Sequence, residues 1–225
     1  MQWDRTYGTS GDEWCYSVIQ KDDEGYTLAG SSADDHYYLI TTDLHGNVQY
    51  SGKYASATGP AYCVIQTNDG GFLLGGYNFS LVKTDRYCNV VWSTTFYSQY
   101  TNRNECNSIV QRPDGGYAFG GSINNGTGII SVLLETDSSG HQLWNRTYPT
   151  HSSWQWVSII QTRDGGFTTA VSQTHDYLTY CLFRADLEQG LAWTTSDTNS
   201  TTLYRGATDP YWNFVRVRIW APQTP

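Results

Sequence analysis

Short apolar runs alternate along this chain with clusters of Gly, Asp, Asn and Ser, and one version of the pattern returns four times. It reads "SVIQKDDEGYTLAG" from Ser17, "CVIQTNDGGFLLGG" from Cys63, "SIVQRPDGGYAFGG" from Ser108 and "SIIQTRDGGFTTA" from Ser158. The Gln residues Gln20, Gln66, Gln111 and Gln161 stand 46, 45 and 50 positions apart. In a second register, Asp43, Asp85, Asp137 and Asp186 are each followed seven residues later by an aromatic: Tyr50, Trp92, Trp144 and Trp193. Two markers keeping one period define an internal repeat.

Each unit divides into four short strands. The first ends in an "IQ" or "VQ" pair, and Asp-Gly-Gly reverses the chain in a tight turn that draws on glycine's positive φ. The second strand is "GYTLAG", "GFLLGG" or "GYAFGG"; the third is "YYLITTD", "SLVKTD", "VLLETD" or "YCLFRAD". A turn such as "LHGN" or "SSGH" leads to the fourth, "VQYSGKYA", "VVWSTTFY" or "QLWNRTYP". No useful stretch carries a helical period. Four-stranded units of about 45 residues are blade-sized, and a ring of blades protects strand edges by radial repetition.

The pattern predicts an all-β, five-bladed β-propeller in one domain spanning 1–225. Four repeats occupy 15–195. Residues 1–8 form an N-terminal closing strand, because "WDRTYG" is the twin of the fourth-strand segment "WNRTYP". Residues 198–221 supply the rest of the fifth blade, with strand-like runs over 201–207 and 213–220. A four-bladed ring with an appended hairpin is the alternative.

Composition narrows the function classes. Gly 22, Tyr 18 and Trp 9 suit strands and turns, and the charged residues are sparse at 15% with a formal net charge of −8. That balance argues against nucleic acid and anionic membrane partners, which call for a basic footprint. No run approaches the about 18 apolar residues of a membrane span, and "MQWDRTYG" enters a strand-like pattern with no signal peptide before it. The five cysteines read as free thiols. Cys15 and Cys106 hold equivalent places in different repeats, beyond the ~7 Å reach of a disulfide, and act as small apolar fillers.

The "SIIQT-DGG" run, the "KTD" third strand and the Trp-led fourth strand resemble the DGG-type propeller repeats of archaeal and bacterial cell-surface proteins, over Trp3 to about Trp193. The tail "LAWTTSDTNSTTLYRGATDPYWNFVRVRIW" resembles a closing segment of such archaeal proteins. The resemblance implies a propeller on the cell surface or in the extracellular space and no single reaction. Two departures, "DDEG" for DGG in the first unit and Tyr50 for Trp, concern local turn geometry.

The topology sorts the loops onto two faces. One carries near-identical turns, where Asp69, Asp114 and Asp164 serve the turn rather than calcium. The other differs from blade to blade, as binding faces do. There the residues before each Gln include Trp14, Tyr16, Tyr62, Glu105, Trp154 and Trp156, the candidate ligand-binding set. Flat aromatics beside carboxylates suit a sugar, which stacks its CH face on a ring and bonds its hydroxyls to acids and amides. Packing in the seams between blades is the competing role for each aromatic.

A glycosidase needs two carboxylates flanking the bond, yet the first strands hold no Asp or Glu facing the channel, and the loop acids Asp12, Glu13, Asp34, Asp35, Glu105 and Asp176 follow no pairing pattern. The five histidines show no metal-ligand spacing. His45 and His141 belong to turns; His36 and His175 are expected to face solvent. The expected protein is a non-catalytic module with no cofactor and no metal. A glycan is its first expected partner, another surface protein its second, and a glycoside hydrolase is the less favoured reading.

Overall fold

The computed structural model describes the backbone of residues 3–98, 104–152, 155–163, 165–175, 177–186, 190–198 and 200–204, and side chains over 3–98, 104–147, 157–163 and 165–170. Within these residues the protein is all-β, built of small antiparallel sheets with no helix. The first sheet holds β1 (Trp14–Gln20), β2 (Tyr26–Ser31), β3 (His36–Thr42) and β4 (Val48–Thr58) in chain order. The second holds β5 (Ala61–Gln66), β6 (Phe72–Gly76), β7 (Ser80–Thr84) and β8 (Val90–Thr95). The third holds β9 (Glu105–Gln111), β10 (Tyr117–Asn124), β11 (Ile129–Thr136) and β12 (Gln142–Ser152). The fourth holds β13 (Gln155–Gln161), β14 (Phe167–His175), β15 (Tyr177–Asp186) and β16 (Gly190–Thr198), with β17 (Ser200–Tyr204) added on its outer edge. The run expected over 201–207 thus begins as part of this fourth sheet. Residues 205–225 lie outside the described residues. The expected N-terminal strand makes no sheet pairing among the described residues.

Sheets stack face to face through their first strands: β1 against β5, β5 against β9, and β9 against β13. Tyr37, Leu39, Val64 and Leu74 fill the first seam, Leu73, Phe79, Ile109 and Phe119 the second, and Ala118, Leu133, Val157 and Phe167 the third. β6 and β7 are buried along their whole length, which is why "FLL" and "LV" run apolar instead of alternating.

The repeated Asp-Gly-Gly now has a physical reading. The first glycine takes a left-handed backbone, with φ of 79° at Gly70, 87° at Gly115 and 88° at Gly165. Its N–H closes the turn onto a carbonyl three residues back, at 2.7 Å for Gly70 to Thr67. The second glycine passes the third strand: a Cβ at Gly71 would lie 2.1 Å from the Thr84 carbonyl oxygen, and one at Gly25 equally close to that of Thr42. In the "DDEG" variant, Glu24 keeps the same geometry at φ 65°, with its N–H 3.0 Å from the Lys21 oxygen.

The repeated Gln is a latch between sheets. Gln66 Oε1 accepts the Asp22 N–H of the preceding sheet at 2.9 Å, and Gln111 Oε1 accepts the Asn68 N–H at 2.8 Å. For Gln161 the donor position is Pro113, which has no N–H to give.

Of the cysteines with described side chains, all four are free thiols: Cys63, Cys88 and Cys106 buried, Cys15 exposed. Cys106 is the expected core filler. Cys15 is not, because the face of β1 that carries it has no sheet over it among the described residues.

Two outcomes follow from this geometry. Glu24→Gly relieves a left-handed non-glycine residue and is expected to stabilise the protein by about 1 kcal/mol, read as a raised urea midpoint. Gln66→Leu and Gln111→Leu, each removing an exposed hydrogen bond between sheets, are expected to cost about 0.5–1 kcal/mol, and Gln161→Leu less in the same assay.

Candidate functional site

The chain order of each sheet places the first-to-second and third-to-fourth turns on one side. Second-to-third loops and sheet-to-sheet connections lie on the other. On that variable side a β-bulge interrupts β1 between Cys15 and Ser17, and another interrupts β5 between Ala61 and Cys63. A bulge adds one residue and re-aims its side chain, and the residues at these two positions are Tyr16 and Tyr62. Their rings meet edge to face, with centroids 5.3 Å apart and planes at 85°.

Glu105 opens β9 and pairs through its backbone with Tyr77. Asn107 Nδ2 donates to its Oε2 at 3.5 Å. Burial pushes the Tyr62 phenol up, and the charge of Glu105, then Tyr16, Tyr77 and Asp35, push it in the same direction. Three successive sheets therefore bring Tyr16, Tyr62 and Glu105 into one cluster, with the Tyr62 phenol held neutral as a hydrogen-bonding group.

Trp14 opens β1 and is 64% exposed; Tyr16 is 47% exposed. Trp14 edges an open polar cleft of ≈ 620 Å³ shared with Tyr7, Thr9, Asp12 and Glu13. The loop is ordered by Glu13, which accepts the Thr9 hydroxyl and, at 3.0 Å, the Thr9 N–H. These bonds, the hydroxyl's first, lower the Glu13 pKa from its ordinary value. Trp154 lies outside the described residues. Trp156 stands in β13 opposite Ser172, and its side chain lies outside the description.

His36 departs from the solvent-facing expectation. Its side chain is largely covered, and the buried Nδ1 has no hydrogen-bond partner among the described residues, the Asp34 carboxylate lying 3.7 Å away. Asp34 is itself bound by Lys53 Nζ and by the Ser32 hydroxyl at 2.7 Å. The Lys53 bond first, then that of Ser32, holds its carboxyl at about 2. Glu13 is thus tied to Thr9 of its own loop, and Asp34 to Ser32 and to Lys53 of β4. Asp176 and the side chain of His175 lie outside the description.

On the repeated side, each described turn aspartate does two jobs. Asp23, Asp69 and Asp114 accept the N–H of the glycine two residues on, at 3.1, 3.0 and 3.0 Å. Each also meets a poorly exposed cation: Lys21 at 3.0 Å, Lys83 at 2.8 Å and Arg112 at 2.7 Å. Asp69 and Asp114 are turn-closers and counter-ions. Asp164 lies outside the described residues. No group of three or more His, Cys, Asp or Glu suited to a metal occurs among the described residues.

Sequence reasoning missed a second cleft on this repeated side. It has a volume of ≈ 460 Å³ between the first two sheets, with Lys21, Gln49, Tyr50, Arg86 and Tyr87 in its lining. Lys21 Nζ donates to Gln49 Oε1 at 2.7 Å. In the next seam the residue equivalent to Tyr50 is Trp92, whose ring lies against Gly140 and whose Nε1 donates to the Ser138 oxygen at 3.3 Å. The Tyr-for-Trp exchange at position 50 was the one signal of this opening in the sequence.

No family model and no curated protein matches the chain. Among solved structures it is similar to a candidate 6-phosphogluconolactonase from Bacteroides uniformis, at 12% identity and a TM-score of 0.41, over 78% of this chain and 69% of that one. A likeness at that level carries no argument about activity.

The Asp69 ion pair sets a pH dependence. Burial opposes ionisation of Asp69, but the bonds from Lys83, Thr67 and the Gly71 N–H outweigh it and hold the carboxyl at about 2. A folded-state pKa below the unfolded value of about 3.9 gives stability that is present above pH ~4 and lost as pH falls toward 2. Asp69→Asn is therefore expected to cost about 1–2 kcal/mol near neutrality, the carboxylate's solvent exposure keeping the figure modest. Urea midpoints taken across pH should show the gap from the unmodified protein closing between pH 4 and 2.

Proposed function

We propose that the four sheets are blades of a five-bladed propeller of the DGG-repeat type, acting as a non-catalytic binding module at the cell surface whose variable face takes carbohydrate. The observation that carries this reading is the convergence of Tyr16, Tyr62 and Glu105 from three successive sheets, with exposed Trp14 beside Asp12 and Glu13. Exposed rings offer flat apolar faces for the CH side of a sugar, and the neighbouring carboxylates and the neutral phenol offer acceptors and a donor for its hydroxyls. The sparse charge of the chain fits an uncharged polar ligand.

A second reading is a structural or protein-interaction propeller of a surface assembly. It is favoured by a separate set of exposed apolar residues, Val90, Val91 and Leu143 on outer strands with Tyr87 nearby. A glycoside hydrolase stands third.

A glycan-array screen of the purified protein tests the first reading, with a Trp14→Ala, Tyr16→Ala double variant and a Trp154→Ala, Trp156→Ala double variant alongside. Saturable binding that weakens at least about tenfold, roughly 1.4 kcal/mol, in either variant is the expected result. No binding across a broad array removes the carbohydrate reading and leaves the interaction module ahead.

A further inference from the structure

Adjacent first strands bring two repeated positions into each seam. Ser17, Cys63 and Ser108 hold one of them, paired with Ala29, Gly75 and Gly120 of their second strands. Ala61, Cys106 and Val157 hold the other on the following sheet, paired with Gly76, Gly121 and Val171. The first seam thus combines Ser17 with Ala61, and the third combines Ser108 with Val157. In the second seam both positions are cysteine.

Cys63 and Cys106 lie in one core cluster, the first 8% exposed and the second fully buried. The Cys63 thiol faces the Gly75 carbonyl oxygen at 3.4 Å and the Cys106 carbonyl oxygen at 3.6 Å. It also meets the Cys106 thiol in a hydrogen bond. A Cβ on Gly75 would stand 2.8 Å from Cys106 Sγ, so the glycine leaves the second sulfur its room. The pair is placed beside the candidate site. Tyr62 precedes Cys63 at the bulge of β5, and Glu105 precedes Cys106 at the start of β9.

We propose that Cys63 and Cys106 close to a disulfide across the second seam, a covalent tie that fixes the spacing of Tyr62 and Glu105 on the variable face. The positioning role rests on the binding site proposed above; the bond itself does not. The oxidant is a low-molecular-weight disulfide. The Cys63 thiolate, the less covered of the two, attacks one of its sulfurs and expels a thiolate; the Cys106 thiolate then attacks the Cys63 sulfur and expels the other. Two protein S–H bonds and one small S–S bond become one protein S–S bond and two small thiols, which carry away two electrons and two protons. Burial first, and then the neighbouring Cys63, push the Cys106 thiol up, and a thiol so held reacts slowly. The bond therefore forms as the seam assembles during folding, and the closed seam shields it afterwards. At the other end of the same strands the Gln111 latch holds the Asn68 N–H at 2.8 Å, so the disulfide ties the seam at its second end.

The test is refolding of the full chain from urea in a mixture of oxidised and reduced glutathione, followed by tryptic mapping without reduction. Trypsin leaves each of the five cysteines on its own peptide. The expected product joins the Cys63 and Cys106 peptides, two hydrogens lighter than their sum. Its urea midpoint rises above that of the reduced protein, with the unfolding equilibrium constant lowered at least about tenfold. Amide exchange slows in the peptides spanning Tyr62 and Glu105. Cys63→Ser, which restores the residue seen at Ser17, Ser108 and Ser158, is expected to keep the circular dichroism spectrum and lose both effects. Free thiols at both positions after refolding, or either cysteine joined to a different one, would overturn the disulfide. A disulfide that leaves exchange around Tyr62 and Glu105 as it is in Cys63→Ser would overturn the positioning role. None of these readouts involves a glycan, so they stand or fall apart from the carbohydrate reading.

Discussion

The inner strands of the second sheet are buried on both faces, and that constraint governs the rest. β6 and β7 are buried along their whole length because one face meets the first sheet and the other the third. A small sheet standing alone has little independent stability; here the apolar area at each seam, at about 25 cal/mol per Å², is gained only when the next sheet arrives. The unit of stability is the array, as in other repeat proteins. The twin glycines after each turn aspartate serve this stacking, one by supplying the left-handed turn and the other by letting the third strand pass within van der Waals range.

The two sides of the array are built for different purposes. On the repeated side the turns are tied by backbone bonds, by aspartates that cap the turn and neutralise a poorly exposed lysine or arginine, and by the Gln latch to the adjacent sheet. Breaking one partner of such a covered pair leaves a charge without compensation, so this side tolerates little variation. On the other side the connections differ in length and sequence, and the bulges of β1 and β5 set Tyr16 and Tyr62 against each other.

Much of this was legible in the sequence because it is written in short-range spacing. Four strands per unit, the turn after each Gln and the apolar third strands follow from periodicity and turn chemistry alone. The role of Gln66 and Gln111 was not legible, since the donor that each meets lies on a different sheet, more than 40 residues away in sequence. Nor was the covering of His36, which depends on how the Asp34 loop folds back over it. Tyr16, Tyr62 and Glu105 were reached from the sequence by aligning residues before each Gln, and the structure brings these three together. Trp154 and the side chain of Trp156 fall outside the described residues. The cleft beside Lys21 was missed because a seam's filling depends on the pair of sheets that form it, and an alignment of repeats shows only one of the two.

Pro113 sharpens the distinction between seams. The first and second seams carry the Gln latch; the third cannot, for want of an N–H at that position. The clustered site residues belong to the three sheets joined by the two latched seams: Tyr16 on the first, Tyr62 on the second and Glu105 on the third. Each latch holds the turn end of a first strand, and the opposite end of that same strand carries the site side chain. Rigid strands spanning the array transmit that fixed spacing to the variable face, which is how a scaffold preorganises a binding surface. A cluster built across the third seam would lack that restraint, so under the proposed carbohydrate-binding role the placement of the aromatic and acidic residues on the first three sheets lowers the ordering a ligand has to impose.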